Sequence, residues 1–494
     1  MAKVIMVQGT GSSVGKSVIV SALCRIFLQD GLRVCPFKAQ NMSLNSFVTK
    51  EGGEMGRAQV VQAQASRISP HVDMNPILIK PLSNINAQII LKGKPIANMR
   101  PKAYYKQRKK LAKNALSSFE RLRKEYEVVV IEGAGSPAEV NLRKNDIVNM
   151  HMAHAARSPV ILVGDIDKGG VFASLVGTME LLSKNDKERV KGFVINKFRG
   201  DKSLLKDGLR FLEKRTKRPV LGVIPYFKDI KLPEEDGVVL ERDVPETKKH
   251  SEVNIAVIKL PHISNFTDFD ALKNEPGVGL SYIDERKGLN GQDIIIIPGT
   301  KNTSADLLWL KKTGLEKQIL LNVKSKPKTV LVGICGGYQM LGRSISDSLK
   351  IESGSGEIKG LGLLPIKTEL KPEKVLLQTK AIHVSSGLEV DGYEIHHGKT
   401  AALGRIKPMF KVKGKEIFDG AQTGTGEIWG TYLHGVFDSD SFRRHFLNRV
   451  RKNKNLPALP DKVGMNNLEK EFNKLACLVR NNIDMKLLYK ILKA

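Results

Sequence analysis

The run Val4-Ile5-Met6-Val7-Gln8-Gly9-Thr10-Gly11-Ser12-Ser13-Val14-Gly15-Lys16-Ser17 decides the fold of this chain. Residues 4–7 are apolar and read as a buried strand, and Lys16–Gln29 carries a helical pattern. The glycine-rich stretch between them therefore turns a strand into a helix, the setting a phosphate loop requires. Glycines let backbone N–H groups converge on phosphate oxygens, and the helix N-terminus adds its partial positive charge. An ATP site is expected at Gly9, Thr10, Gly15, Lys16 and Ser17. Lys16 would reach the terminal phosphates, and the Ser17 hydroxyl would ligate Mg2+.

Working outward, β-branched runs at 33–36, 128–131, 160–163, 192–195 and 220–223 alternate with helical patterns such as 103–125. That alternation predicts βα units around a parallel sheet. Glu132 ends an apolar strand, where a second Mg2+ ligand is expected, and Glu139 lies where it would face a substrate carboxylate. Asp165 and Asp167 end the next strand, and Asn196 with Lys197 follows another, placed for the adenine ring. Five residues rather than four separate Gly9 from Gly15. This variant, headed by Gly-Thr, resembles dethiobiotin synthetase and its relatives, which phosphorylate carboxylates. Partitioning-type ATPases share the fold but carry an extra lysine in that part of the loop, where Gly11 stands here.

A second signature lies downstream. An apolar strand at 329–333 runs into Gly333-Ile334-Cys335-Gly336-Gly337, a sharp turn that projects a cysteine nucleophile. His434, in Tyr432-Leu433-His434-Gly435, is the expected base. Gly336, and Gly299 in Ile297-Pro298-Gly299-Thr300, are the expected oxyanion donors. A thiol and an imidazole so placed release ammonia from the glutamine side chain through a thioester. The wider class I glutamine amidotransferases place a glutamate two positions beyond the histidine, but here Val436 stands there. Asp438, His396 and His397 remain candidates for a role beside the pair. Together the two signatures describe an ATP-dependent, glutamine-fed amide synthetase. The expected fold is α/β: an N-terminal P-loop parallel-sheet domain, dethiobiotin synthetase-like, and a C-terminal class I glutamine amidotransferase-like domain.

At 494 residues the chain exceeds one hydrophobic core. The expected division is 1–240 for the ATP-dependent domain, a charged linker at 241–252, 253–445 for the amidotransferase domain and a basic helical tail at 446–494. The formal net charge of +29 raises nucleic acid as a partner, but the basic residues are dispersed and not interleaved with aromatics as on a single-strand platform. Neither nucleic acid nor membrane is expected as a partner. The four cysteines lack metal or disulfide spacing. With Met1 leading straight into a strand, a cytoplasmic protein without a cleavable signal is expected. Oligomeric state is not legible.

Longer strings narrow the reading. Phe37-Lys38-Ala39-Gln40-Asn41-Met42-Ser43-Leu44-Asn45-Ser46, Pro70-His71-Val72-Asp73-Met74-Asn75-Pro76, Glu132-Gly133-Ala134-Gly135-Ser136-Pro137-Ala138-Glu139, Gly299-Thr300-Lys301-Asn302-Thr303 and Tyr393-Glu394-Ile395-His396-His397-Gly398 closely resemble the cobyric acid synthases, glutamine-hydrolysing enzymes of cobalamin biosynthesis. The resemblance runs from the phosphate loop to about Arg444. It implies amidation of the b, d, e and g carboxylates of adenosylcobyrinic acid a,c-diamide, with Cys335 as nucleophile, His434 as its partner and no acid in the triad. Small molecules (the corrin acid, glutamine and ATP) are the implied partners. Lys38, Arg57, Lys80 and Arg143 are candidates for holding the corrin carboxylates. The alternatives are the enzyme type that amidates the a and c positions, against which 38–46 and 70–76 weigh, and a non-catalytic partitioning-type ATPase.

Overall fold

The computed structural model describes residues 2–83, 85–233, 251–284, 288–325, 329–352, 356–460 and 468–493. Of the expected linker, only Ser251 and Glu252 lie among them. The fold is α/β with two parallel sheets. In the first, six parallel strands run in the order Val220–Pro225, Val190–Phe198, Val160–Asp165, Lys3–Gly9, Val128–Glu132 and Val34–Phe37. These strands are apolar on both faces because helices cover both sides, as a parallel sheet requires. Lys3–Gly9 lies between strands that come much later in the chain. The phosphate loop thus emerges at the carboxyl end of the sheet where the strand order reverses. The helical pattern at 103–125 forms two helices, Pro101–Lys106 and Arg108–Glu125, parted at Gln107.

The second sheet orders Val278–Ile283, Val253–Ile258, Ile294–Ile297, Val330–Ile334 and Ile428–Thr431 in parallel, with Ala421–Gln422 antiparallel at the edge. Beside it stands a hairpin of two long strands, Ile366–His383 and Glu389–Ala402. The hairpin hides its length because exposed Val375 and Leu377 stand among Lys, Glu and Gln and blur the alternation, and its register shifts between Leu370 and Val375, around Pro372.

Residues 40–99 add a small four-stranded sheet, Gln40–Met42, Ile77–Pro81, Ala87–Leu91 and Lys94–Met99, which the sequence did not announce. The neighbouring strands Ser46–Val48 and Glu54–Gly56 carry the junction with the second half. Asn265 Oδ1 accepts from Ser46 N at 2.9 Å, and Asn45 Oδ1 accepts from Phe266 N at 3.1 Å. The Phe47 ring meets Tyr393 edge-on at 4.9 Å, and Val48 packs with Tyr393 and Ile395.

The C-terminal region is not an appendage. Helix Asp440–Asn453 puts Phe442, Phe446, Leu447 and Val450 into the core of the second half. Helices Leu468–Arg480 and Met485–Lys493 return to the first half, where Phe472, Leu475, Val479 and Leu488 pack with Ile5, Ile19 and Leu23. Glu469 accepts two bonds of 2.9 Å from the buried Arg25 guanidinium, which also lies 5.2 Å from the Phe472 ring centre. Asp484 N donates to Leu221 O at 2.7 Å, and Gly222 lacks a side chain where a Cβ would fall on Asn482 O. The segment therefore covers an otherwise open sheet edge. Phe472→Ala is expected to destabilise the protein by about 3–5 kcal/mol through lost burial and an unfilled cavity. Urea unfolding would measure it.

Candidate active site

Three adjacent parallel strands deliver the thiol site. Ile294–Ile297 leads to Gly299, Val330–Ile334 to Cys335 and Ile428–Thr431 to His434, so three separated stretches meet at one sheet end. Cys335 has φ 51° and ψ −107°, a left-handed conformation that is costly for a non-glycine residue. The tight turn leaves no room beside it. A Cβ on Gly337 would lie 1.9 Å from Ile297 O, and one on Gly336 2.7 Å from Thr300 Cγ2. Helix Gly336–Leu341 starts directly after the cysteine, and the N–H groups of such a first turn have no intrahelical acceptor.

His434 is buried, and its Nδ1 shares a hydrogen bond of 2.6 Å with Asp268 Oδ2. Asp268 Oδ1 also accepts from Gly435 N at 3.3 Å. A Cβ on Gly299 would stand 2.9 Å from the imidazole Cε1, so glycine is needed there to admit the ring. Burial alone would lower the His434 pKa, but the charges of Asp268 and Cys335, with their hydrogen bonds, raise it to about 10. Its unfolded value is near 6.5. The stabilisation from this charge is therefore fully present below about pH 6.5 and is lost as pH rises through about 10.

Asp268 is the residue the sequence reading missed. It lies in Asn265-Phe266-Thr267-Asp268, far from the histidine in sequence, and the only signal was an acid shortly after a strand of the same sheet. Asp438, the acid closer to hand in sequence, is exposed, and the bond to His434 Nδ1 is made by Asp268 instead. His396 stacks on Tyr432 at 3.7 Å and bonds Gly398 O and Glu394. His397 Nδ1 bonds Lys371 O at 3.1 Å, and burial with nearby Lys301 and Lys374 takes its pKa down to about 3. Both line the same cavity as Cys335 and His434.

At the phosphate loop, Gly15 has φ 103°, and a Cβ there would collide with the Asn196 amide. Asn196 Nδ2 donates to Val14 O at 2.9 Å, so this amide braces the loop. Thr10 N donates to Val163 O at 2.9 Å, and a Cβ on Gly9 would strike Val14. Lys16 Nζ donates to Gly11 O at 2.7 Å and Gly135 O at 3.2 Å. Ser17 Oγ donates to Glu132 Oε1 at 2.9 Å, bringing two oxygen donors together at the helix start. Lys38 Nζ also reaches that carboxylate oxygen, at 2.8 Å. The pair buries Lys38 beside the phosphate loop. Glu139 is exposed on the turn beyond Gly135. Asp165 is bridged by Lys197 at 2.7 Å and Asp167 by Arg199 at 2.7 Å. Arg143 is engaged by Asp186 at 2.7 Å, and Arg57 lies over the Phe47 ring.

A buried polar column joins the two ends. Lys80, on the wall of the Cys335 cavity, donates to Ser46 Oγ at 2.8 Å and Glu54 Oε1 at 2.9 Å, and Glu54 also takes Lys374 from the long hairpin. Ser46 pairs across to Gly56, where a Cβ would fall on the Asn41 and Gln59 amides. Asn41 Nδ2 donates to Gln59 Oε1 at 3.0 Å, and Gln59 and Gln62 both donate to Glu132 Oε2.

Comparison with known proteins gives two family models. Residues 5–239 match a CobQ/CobB/MinD/ParA nucleotide binding domain, and residues 254–442 match a CobB/CobQ-like glutamine amidotransferase domain. The cobyric acid synthase of Clostridium acetobutylicum is 49% identical over 489 residues, covering 99% of this chain and 98% of that one. That of Caldanaerobacter subterraneus subsp. tengcongensis is 50% identical over 509 residues, covering 100% and 99%.

Asp268→Asn is expected to bring the His434 titration down from about pH 10. The alkaline fall of Cys335-dependent amide hydrolysis should move to lower pH, with kcat reduced about 100-fold. A pH–rate profile of wild type and variant checks both.

Proposed function

The chain belongs to the cobyric acid synthase family of amidating ligases, and we propose that it amidates the b, d, e and g carboxylates of adenosylcobyrinic acid a,c-diamide, spending ATP and taking nitrogen from glutamine. Residues 253–445 carry the glutaminase and residues 1–240 the synthetase. The observation that carries this reading is the buried polar column from the Cys335 cavity to Glu132 beside the phosphate loop. A hydrolase and a nucleotide site with independent tasks would have no use for it.

At the glutaminase end, Cys335 attacks the glutamine side-chain carbonyl. His434 passes a proton to the departing ammonia, and water then resolves the thioester. Asp268 fixes the imidazole orientation through Nδ1, the part an acid plays in a triad. The N–H of Gly336, in the first turn after Cys335, takes the oxyanion, and Gly299 gives the His434 ring its space.

At the other end, a carboxylate is a poor acyl donor. Phosphorylation by ATP makes it an acyl phosphate, from which ammonia displaces phosphate. Backbone N–H groups of Gly9 to Ser17 and the Lys16 ammonium hold the phosphates. The Ser17 hydroxyl and the Glu132 carboxylate are hard oxygen donors that meet at 2.9 Å and would hold Mg2+. When bound, the ion neutralises charge on the transferring group. Ammonia released in the Cys335 cavity must reach the acyl phosphate away from bulk water, where it would be protonated and cease to be a nucleophile. Gly11, in place of the extra lysine, weighs against the partitioning-type ATPase, and a paired Cys335 and His434 have no part in such a device.

Incubation with the adenosylated a,c-diamide, ATP, Mg2+ and glutamine is expected to give four successive mass losses of about one unit, each an OH replaced by NH2. Cys335→Ala should form product from ammonium salts and none from glutamine. An unchanged substrate mass under both nitrogen sources would refute the assigned substrate.

A further inference from the structure

The cavity that holds Cys335 also holds two opposite charges that do not meet. Lys301 is buried on one part of its wall and Glu352 lines another. Among the described residues, no carboxylate oxygen lies within 4 Å of the Lys301 ammonium, and no cationic nitrogen lies within 4 Å of the Glu352 carboxylate. Glu352 Oε2 accepts from Thr303 N at 2.6 Å. Each charge still feels the other across the gap: burial works against both ions, and each partly relieves the other. A third observation points the same way. Gln339 is buried on the cavity wall, its Nε2 donating to Tyr432 at 3.1 Å, while its Oε1 has no partner.

Leaving the buried Lys301 and the half-buried Glu352 without a counter-ion is unfavourable, since the hydration they lose is not replaced by a neighbour. A molecule with an anion and a cation on one carbon would complete both at once. Glutamine carries that pair at its head and the amide that Cys335 attacks at its other end. A surplus of one charge would have suited a simple anion or cation; the separated pair suits a zwitterion.

We infer that Lys301 and Glu352 form a clamp for the amino-acid head of glutamine, Lys301 taking the α-carboxylate and Glu352 the α-ammonium, so that the side-chain amide is presented to Cys335. The inference rests on the glutaminase reading of Cys335 and deepens it. The clamp explains how a small amide donor is selected: an amide without the zwitterionic head leaves one or both charges unpaired. Lys301 belongs to the string Gly299-Thr300-Lys301-Asn302-Thr303, whose first member touches His434, so one loop serves both the head and the reacting end of the substrate.

The test compares three substrates on the full-length enzyme: glutamine, 4-carbamoylbutanoate, which lacks the α-amino group, and glutamine α-amide, which lacks the α-carboxylate. Wild type should hydrolyse either analogue with kcat/KM lower by about 100-fold than for glutamine, as expected for loss of a charged hydrogen-bond partner. In Lys301→Met, glutamine and its α-amide should become nearly equivalent while 4-carbamoylbutanoate remains poorer. In Glu352→Gln, glutamine and 4-carbamoylbutanoate should become nearly equivalent while the α-amide remains poorer. Equal slowing of all three substrates in either variant would overturn the clamp. So would a wild-type enzyme that does not discriminate among them, a result that needs no variant to fold. A wild type that hydrolyses glutamine but shows no matched pattern refutes the clamp alone. One that hydrolyses no glutamine refutes the glutaminase reading, and the clamp with it.

Discussion

The carboxylate of Glu54 is the point on which the two halves depend. It is fully buried, with Lys80 of its own half at 2.9 Å and Lys374 of the long hairpin on its other oxygen. Burial works to raise the Glu54 pKa, but the two ammonium groups outweigh it and hold the carboxyl well below its ordinary range. Burial in turn draws Lys374 down to about 7, against the pull of Glu54. Such a cluster adds little net stability compared with apolar packing, yet removing one member strands a buried charge at a cost of about 3–5 kcal/mol. Its consequence is register: a single docking of the hairpin satisfies Glu54. That docking also seats Asn265 on Ser46 and Asn45 on Phe266, completing the wall shared by the two sites.

From that constraint the chemistry follows. Each reacting centre stands at the carboxyl end of a parallel sheet, where helix N-termini and tight glycine turns expose backbone N–H groups. In the proposed reaction neither centre suffices alone, because ammonia made at one would be protonated in water and an acyl phosphate made at the other would be hydrolysed. The junction residues Ser46, Glu54, Gly56 and Lys80 come from the insertion at 40–99, an addition to the parallel sheet. The fold supplies the two sites, and the insertion connects them.

Much of this was legible in sequence, for physical reasons. The helix Lys16–Gln29 and the strand ends at Glu132, Cys335 and His434 were readable because apolar periodicity and glycine turns are local signals. Asp268 was not, because a triad acid is defined by what lies near it in space. Asn196 was readable as a residue near the nucleotide from its place after a strand, but its bond to Val14 O, which braces the loop, has no local signal. Lys38 was expected among the groups that hold substrate, and its burial against Glu132 could not be inferred from a charged residue following a strand. The helices at 468–493 looked like a basic appendage because lysines fill their outer faces, while Phe472, Leu475 and Leu488 make the contacts that return them to the first sheet.

In the proposed reaction nitrogen passes between the two sites without mixing with solvent. Glutamine labelled with ¹⁵N in its side-chain amide, supplied together with an excess of unlabelled ammonium at neutral pH, tests it directly. Transfer through the interior predicts that the amides formed carry the label nearly undiluted while glutamine lasts. Product whose isotope content matches the mixed ammonium in solution would contradict it.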